Sequence, residues 1–207
     1  MENNLIIIPS RMESKRLPGK PLLDIEGTPM VIRVAKQAIK SNSGLVYIAC
    51  CDEEVYKTAQ NYGINVIMTN TDHSSGTDRI YEAFKNINNT EKIDTIINLQ
   101  GDMPTILSST ISNLVKLKKT IPSDILTLVN EINNEDEKLD KDIVKVALSL
   151  NKSKEYGKAL YFSRSLIPYG EGPVYHHIGV YAYSRKSLEK FINLKLSELE
   201  KRESLEQ

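Results

Sequence analysis

Four cations crowd one short stretch of the 207-residue chain, Ser10-Arg11-Met12-Glu13-Ser14-Lys15-Arg16-Leu17-Pro18-Gly19-Lys20-Pro21. Arginine grips a phosphate through two parallel N–H bonds, and lysine adds a compact point charge. Gly19 lets the backbone approach a ligand closely. The glycine spacings of a Walker loop and of a dinucleotide fingerprint are both absent. Taken alone, the stretch is also readable as a solvated basic loop.

A second candidate is Asp102, in Gln100-Gly101-Asp102. Mg²⁺ is usually held by one or two carboxylates together with substrate phosphate oxygens, which suits an aspartate facing a cationic loop across a triphosphate. An aspartate after glycine is, however, more often a plain turn residue. The stretch Asp72-His73-Ser74-Ser75-Gly76-Thr77-Asp78-Arg79 offers hydroxyls and amides at a helix start, where an anion or polar sugar groups can bind. A simpler reading makes Thr77 an N-cap and explains only part of that stretch. Arg164, in Tyr161-Phe162-Ser163-Arg164, and His177 can each hold a carboxylate, although a lone Arg or His at a strand end is usually structural.

The elements that must position these residues alternate between β-rich runs and helical patterns, the signature of βαβ units and a largely parallel sheet. Leu5–Ile8 is a continuous apolar strand, Leu45–Ala49 and Ile64–Met68 follow, and Thr95–Leu99 ends at Gln100. Between them lie helices with one apolar face each: Val31, Val34, Ala35, Ala38 and Ile39, then Val55, Ala59 and Tyr62, then Ile80, Ala83, Phe84 and Ile87. Thr28-Pro29 reads as an N-cap and first helical residue. In open α/β sheets ligands bind beyond the carboxyl ends of the strands, where the three loops Ser10–Pro21, Thr69–Arg79 and Gln100–Thr105 all fall.

After a helix around Ile111–Leu117 the pattern becomes strand-like: Ile125–Val129, Ile143–Leu150, Ala159–Phe162 and Ile178–Tyr183. Val144, Val146, Leu148 and Leu150 alternate with Lys145, Ala147 and Ser149, as in a half-buried strand. Asn130–Asp142 is acidic and polar and reads as an exposed loop.

Lys+Arg and Asp+Glu both number 27, a formal net charge of +0, which argues against nucleic acid as a partner. No apolar run is long enough to span a bilayer, and nothing resembles a secretory signal. The only cysteines, Cys50 and Cys51, are adjacent and imply no disulfide staple, so a reducing cytoplasm is the simplest location.

Taken together, these segments resemble the CMP-KDO synthetase family, where KDO is 3-deoxy-manno-octulosonate. The likeness runs through IIIPSRMESKRLPGKPLLDIEGTPM, TDHSSGTDRI, NLQGDMP, IVKVALSL, ALYFSRSLIPY, HHIGVYAY and ESLEQ, nearly the whole chain. It implies an α/β, Rossmann-like nucleotidyltransferase fold with a central mixed sheet and a smaller β-rich lobe. Within one nucleotidyltransferase domain, a nucleotide-binding part would cover about residues 1–120 and a sugar-binding and dimerisation part about 121–207. The implied reaction joins KDO to CMP from CTP for lipopolysaccharide synthesis, in a cytoplasmic homodimer with Mg²⁺ as cofactor. By the same resemblance Arg11, Arg16 and Lys20 hold the triphosphate, and Asp102 binds the metal. Ser75, Gly76, Arg79 and Gln100 line the nucleotide and sugar site. Arg164 and His177 meet the sugar acid, with Glu206 and Gln207 closing the same pocket. A cytidylyltransferase for another acidic sugar, such as a sialic acid, and a nucleotide-binding pseudoenzyme are the competing readings.

The sequence departs from the family pattern in places. Met103 stands where the family has Glu after Gln-Gly-Asp, Cys51 stands where an Asp is expected, and Ser74 replaces the Gln of some relatives. Family members also continue past the LEQ segment to a strand and helix that carry a second metal-site aspartate. The expectation from that comparison is a 207-residue chain that binds CTP but turns it over poorly.

Overall fold

The computed structural model describes residues 3–13, 17–153 and 155–206. The chain divides into two compact units. One runs to Leu126 and takes in Val180–Leu194; the other comprises Thr127–Gly179 and the residues from Lys195 onward.

In the first unit β1 (Asn4–Ser10) is the central strand, with Leu5, Ile6, Ile7 and Ile8 fully buried. Such a run, apolar on both faces, belongs inside a parallel sheet covered on both sides. A two-stranded ribbon, β2 (Asp24–Ile25) and β3 (Thr28–Pro29), precedes α1 (Met30–Lys40). Thr28-Pro29 is thus a ribbon strand, and the helix begins only at Met30. Glu26 and Gly27 both take positive φ in the two-residue turn, and the Asp24 carboxylate accepts the Gly27 N–H at 2.9 Å.

The parallel succession then follows as β4 (Leu45–Cys50), α2 (Glu53–Asn61), β5 (Val66–Met68), α3 (Gly76–Asn86), β6 (Thr95–Leu99) and α4 (Ser108–Thr120). Strand order is β5–β4–β1–β6, all parallel. Helix α3 lays Ile80, Ala83, Phe84 and Ile87 on Leu5, Ile7, Ala49 and Ile96, forming a core cluster that also includes Tyr183 and Leu188.

In the second unit β7 (Ile125–Glu131), α5 (Glu135–Leu139), β8 (Lys145–Leu150) and β9 (Gly157–Ser163) lead into β10 (Tyr175–Ser184). Strand β8 pairs antiparallel with β9 and with the Tyr175–His176 end of β10. The other end of β10, Val180–Ser184, lies antiparallel to β6 in the first unit, and α6 (Arg185–Ile192) follows it. Helix α7 (Glu198–Glu203) closes the described chain with a capping box made by Ser197 and Glu200. The architecture is the expected α/β one, with a mixed central sheet and a smaller β-rich unit. Val180–Leu194 belong to the first unit, where Val180–Ser184 pair with β6.

Two local expectations also change. The polar stretch 130–142 contains α5, started by the Asn134 side chain accepting the Asp136 N–H at 3.0 Å. In β8 the alternation fails at its first residue, because Lys145 is fully buried beside Val146. Its ammonium donates to the carbonyls of Asp140, Ile143 and Arg164 at 2.5, 2.8 and 3.0 Å, one acceptor for each of its three protons. Burial lowers the Lys145 pKa, with the Asp140 charge opposing and that of Arg164 adding to the shift.

If the α3 face holds the first unit together, Ile80→Ala should destabilise the chain by about 2–5 kcal/mol. Urea unfolding measures this, and a loss well under about 1 kcal/mol would place the core elsewhere.

Candidate active site

The carboxyl ends of β1, β4 and β6 lie side by side because the three strands are parallel neighbours. The loops leaving β1 and β6, with the start of α3, enclose a cleft of about 1280 Å³ lined in part by Ser10, Arg11, Lys20, His73, Gly76 and Asp102.

The cationic loop folds back on itself. The Gly19 N–H donates to the Met12 carbonyl at 3.0 Å, and Gly19 takes φ 73°, which favours a residue without Cβ. The 3-10 turn Lys20–Leu22 follows, and across the cleft the Lys20 ammonium reaches the Asp102 carboxylate at 2.7 Å. Asp102 comes so close because Gly101 allows it: a Cβ there would lie 2.9 Å from the Pro9 carbonyl oxygen. The two side chains are 33% and 47% exposed. An ion pair so wet contributes only about 0–1 kcal/mol and opens readily for a competing anion or cation.

Asp52, at the end of β4, fixes the start of the same loop. Its carboxylate accepts the Met12 N–H at 2.9 Å and also the Cys51 thiol at 3.4 Å. The Cys51 thiol pKa is raised by burial, and burial pushes that of Cys50 up to about 12, so both remain protonated thiols at neutral pH.

On the opposite wall Ser75 is the N-cap of α3, its hydroxyl accepting the Asp78 N–H at 3.0 Å. Thr77, the sequence-based candidate for that cap, is instead buried inside the helix. Arg79, 2% exposed, donates from Nη1 to the Thr69 hydroxyl at 2.6 Å and to the Asn70 carbonyl at 3.1 Å. Among the described residues, two buried side-chain polar atoms have no partner, Ser10 Oγ and Arg79 Nη2. Both belong to residues that line the cleft. Such atoms are costly to bury. Gln100 is oriented by a 3.3 Å bond from its amide nitrogen to Asn98. His73 Nε2 contacts the Glu82 carboxylate, which also accepts the Asn70 N–H at 2.9 Å. Burial works against the charge on Glu82, but these contacts outweigh it and hold its pKa below the usual value.

Arg11, Lys20, Ser75, Gly76, Arg79, Gln100 and Asp102 are therefore brought to one cleft. Arg16 and Gln207 lie outside the described residues. Arg164, His177 and Glu206 belong to the second unit. Arg164 donates from Nε to the Glu203 carbonyl at 2.9 Å and from Nη1 to the Lys141 carbonyl at 2.9 Å. His177 shares a 3.0 Å hydrogen bond with the Thr127 hydroxyl and packs edge-on to Phe162 with ring centroids 4.8 Å apart. Burial, helped by neighbouring His176, pushes its pKa down to about 4, so the ring is neutral at physiological pH. It can therefore accept or donate a hydrogen bond but supplies no cation for a carboxylate.

Sequence reasoning missed Glu82, and it took in Ser10 and His73 only as members of candidate loops without giving either a role. The one available signal was position, since Ser10 falls at the carboxyl end of a buried strand.

A cation fits this donor set in only one manner. No group of three or more His, Cys, Asp or Glu side chains able to hold a metal occurs among the described residues. Asp102 alone fits Mg²⁺ that takes its remaining ligands from substrate phosphates and water.

Residues 5–207 match the family model described as Cytidylyltransferase. A 3-deoxy-manno-octulosonate cytidylyltransferase of Paramagnetospirillum magneticum is 43% identical over 98% of this chain and 82% of its own length. One from Brucella canis is 47% identical over 98% of this chain and 81% of its own length. A solved CMP:2-keto-3-deoxy-manno-octonic acid synthetase complexed with CTP superposes with a TM-score of 0.89 at 38% identity, covering 99% of this chain and 83% of that one. No helix among the described residues is long and apolar enough to cross a membrane.

The depressed His177 pKa carries a sign. Between the ordinary value near 6.5 and about 4, the unfolded chain binds a proton that the folded chain refuses, so this contribution to stability is lost on acidification. Relative to His177→Gln, the native chain should lose about 1–2 kcal/mol between about pH 7 and pH 5, read from urea unfolding. An unchanged difference would mean that His177 is as accessible to protons folded as unfolded.

Proposed function

The chain belongs to the cytidylyltransferase family, and we propose that it transfers CMP from CTP to KDO, releasing pyrophosphate and yielding CMP-KDO for lipopolysaccharide synthesis. The observation that carries this reading is the strand-end cleft in which the Lys20 ammonium and the Asp102 carboxylate face each other at 2.7 Å. A triphosphate entering there would take over Lys20 and leave Asp102 as the residue that would hold Mg²⁺. Arg11 lines the same cleft and adds a planar donor for the phosphate oxygens.

In the reaction the anomeric hydroxyl of KDO loses its proton to solvent and its oxygen forms a bond to the α-phosphorus of CTP, while the bond from that phosphorus to the pyrophosphate oxygen breaks and pyrophosphate leaves. Charge gathers on the transferring phosphoryl and on the leaving group, so aimed cations and fixed geometry do most of the catalysis. Asp102 is the residue placed to hold Mg²⁺, which when bound supplies further positive charge to the phosphates. Ser10, Ser75, Gly76, Arg79 and Gln100 line the cleft that receives the nucleotide. Arg16 extends the cationic grip, while Arg164, His177, Glu206 and Gln207 receive the sugar acid. The reading includes a homodimer working in the cytoplasm.

CTP with KDO and Mg²⁺ should release more pyrophosphate than any other pairing of nucleoside triphosphate and acidic sugar. A clear preference for UTP or for a sialic acid would overturn the assignment. Arg11→Ala and Lys20→Ala should each slow turnover by roughly 10²–10³ while the unfolding midpoint stays near native. Near-normal turnover in both would place the triphosphate elsewhere.

A further inference from the structure

In the second unit the charged groups of Lys145 and Arg164 lie within each other's electrostatic reach, and both bond to backbone carbonyls. Neither Arg164 nor Lys145 takes part in any of the described ion pairs. Arg164 is held by backbone carbonyls of Glu203 and Lys141 at 2.9 Å and more loosely by that of Ser204 at 3.4 Å. Lys145, fully buried, donates to the Arg164 carbonyl from the other side.

Glu203, whose carboxylate meets the main chain of Arg164, accepts from neutral donors. Its Oε1 accepts from the Tyr161 and Ser163 hydroxyls at 2.9 and 2.8 Å, and its Oε2 accepts the Arg164 backbone N–H at 3.0 Å. These bonds, led by the Arg164 N–H and the Ser163 hydroxyl, hold the Glu203 pKa below its usual value. The carboxylate is therefore ionised and satisfied, yet it lies on the backbone of Arg164 rather than on the guanidinium. The side chain of Glu203 fixes the main chain of Arg164, and the side chain of Arg164 fixes the main chain at Glu203 and Ser204.

A reciprocal clamp of this kind keeps an arginine ordered while leaving its charge uncompensated at contact distance. An ordinary salt bridge would order the guanidinium but also neutralise it against an incoming anion. Side chains held in place beforehand bind with less loss of rotamer freedom.

We infer that Glu203 is a positioning residue that sets Arg164, with its charge intact, to receive the carboxylate of the acidic sugar. This rests on the proposed reading of Arg164 as a sugar-acid contact. Glu203 touches no substrate in this scheme and acts only through Arg164 and the tail that follows it.

The test measures KM for KDO and for CTP, by pyrophosphate release, in the native chain, Glu203→Ala, Glu203→Gln, Arg164→Ala and the Glu203→Ala/Arg164→Ala double variant. Glu203→Ala should raise the KM for KDO by about 10-fold, the scale for losing a charge-assisted contact, with the KM for CTP within about 2-fold of native. Glu203→Gln, which keeps an acceptor oxygen, should fall between native and Ala. The double variant should be no worse for KDO than Arg164→Ala alone, because Glu203 has nothing left to position. Additive losses, or equal rises in both KM values, would make Glu203 merely structural and overturn the inference. An unchanged KM for KDO in Glu203→Ala overturns it as well, and Glu203→Gln decides the matter if the Ala variant does not fold. If the native chain itself uses CTP but not KDO, the parent reading falls and takes this one with it, a result visible before any variant is made.

Discussion

Parallel pairing of β1 with β4 and β6 obliges these strands to finish on one edge of the sheet, and the chemistry of the first unit depends on that constraint. Residues far apart in sequence are delivered to neighbouring points: Ser10 at the end of β1, Asp52 just past β4 and Asp102 just past β6. Lys20 and Asp102 stand 82 positions apart and still meet at 2.7 Å. The close approach of Gly101 to the Pro9 carbonyl fixes this spacing. A Cβ there would lie 2.9 Å from that oxygen, so one of the two backbones would have to shift.

The electrostatics follow from the same edge. A loop with several cations would repel itself if it were only gathered by turns. It is pinned instead by Asp52 at its start and met by Asp102 near its end, both partly solvated. Arg79, which lines the same cleft, is instead buried, and its Nη2 and the Ser10 hydroxyl are the two buried side-chain polar atoms without a partner among the described residues. The half-exposed Lys20–Asp102 pair is thus the part of the cleft suited to exchange partners with a charged, hydrated phosphate chain.

Much of the first unit was legible because its signals are local. Leu5–Ile8 is too apolar for anything but a buried strand, and the faces of α1 and α3 repeat with helical period. The cationic loop and Asp102 could be read as site residues because both follow such strands. Where the reading failed, a distant partner decided the outcome. Nothing near Thr28-Pro29 announces that it pairs with Asp24–Ile25, and nothing in the sequence of Val180–Tyr183 says that β6 is its neighbour. Lys145 looked outward-facing because its pattern alternates, yet carbonyls from Asp140, Ile143 and Arg164 satisfy it inside. Glu82 escaped notice, and His73 was given no role of its own, for a related reason, since a single acid or imidazole acquires meaning only from what it touches.

The central claim is that the cleft between the β1 and β6 loops grips the nucleotide by its phosphates, with Lys20 exchanging Asp102 for a phosphate oxygen. Calorimetric titration of the native chain with CTP and with CMP, each with Mg²⁺, tests this without requiring turnover. The two ligands share base and ribose and differ only in the phosphates that Lys20 and Arg11 are placed to hold. CTP should bind at least roughly 10-fold more tightly than CMP, the scale of one charge-assisted contact. Equal affinities would contradict the claim, because the phosphates beyond the first would then be adding nothing to binding in this cleft.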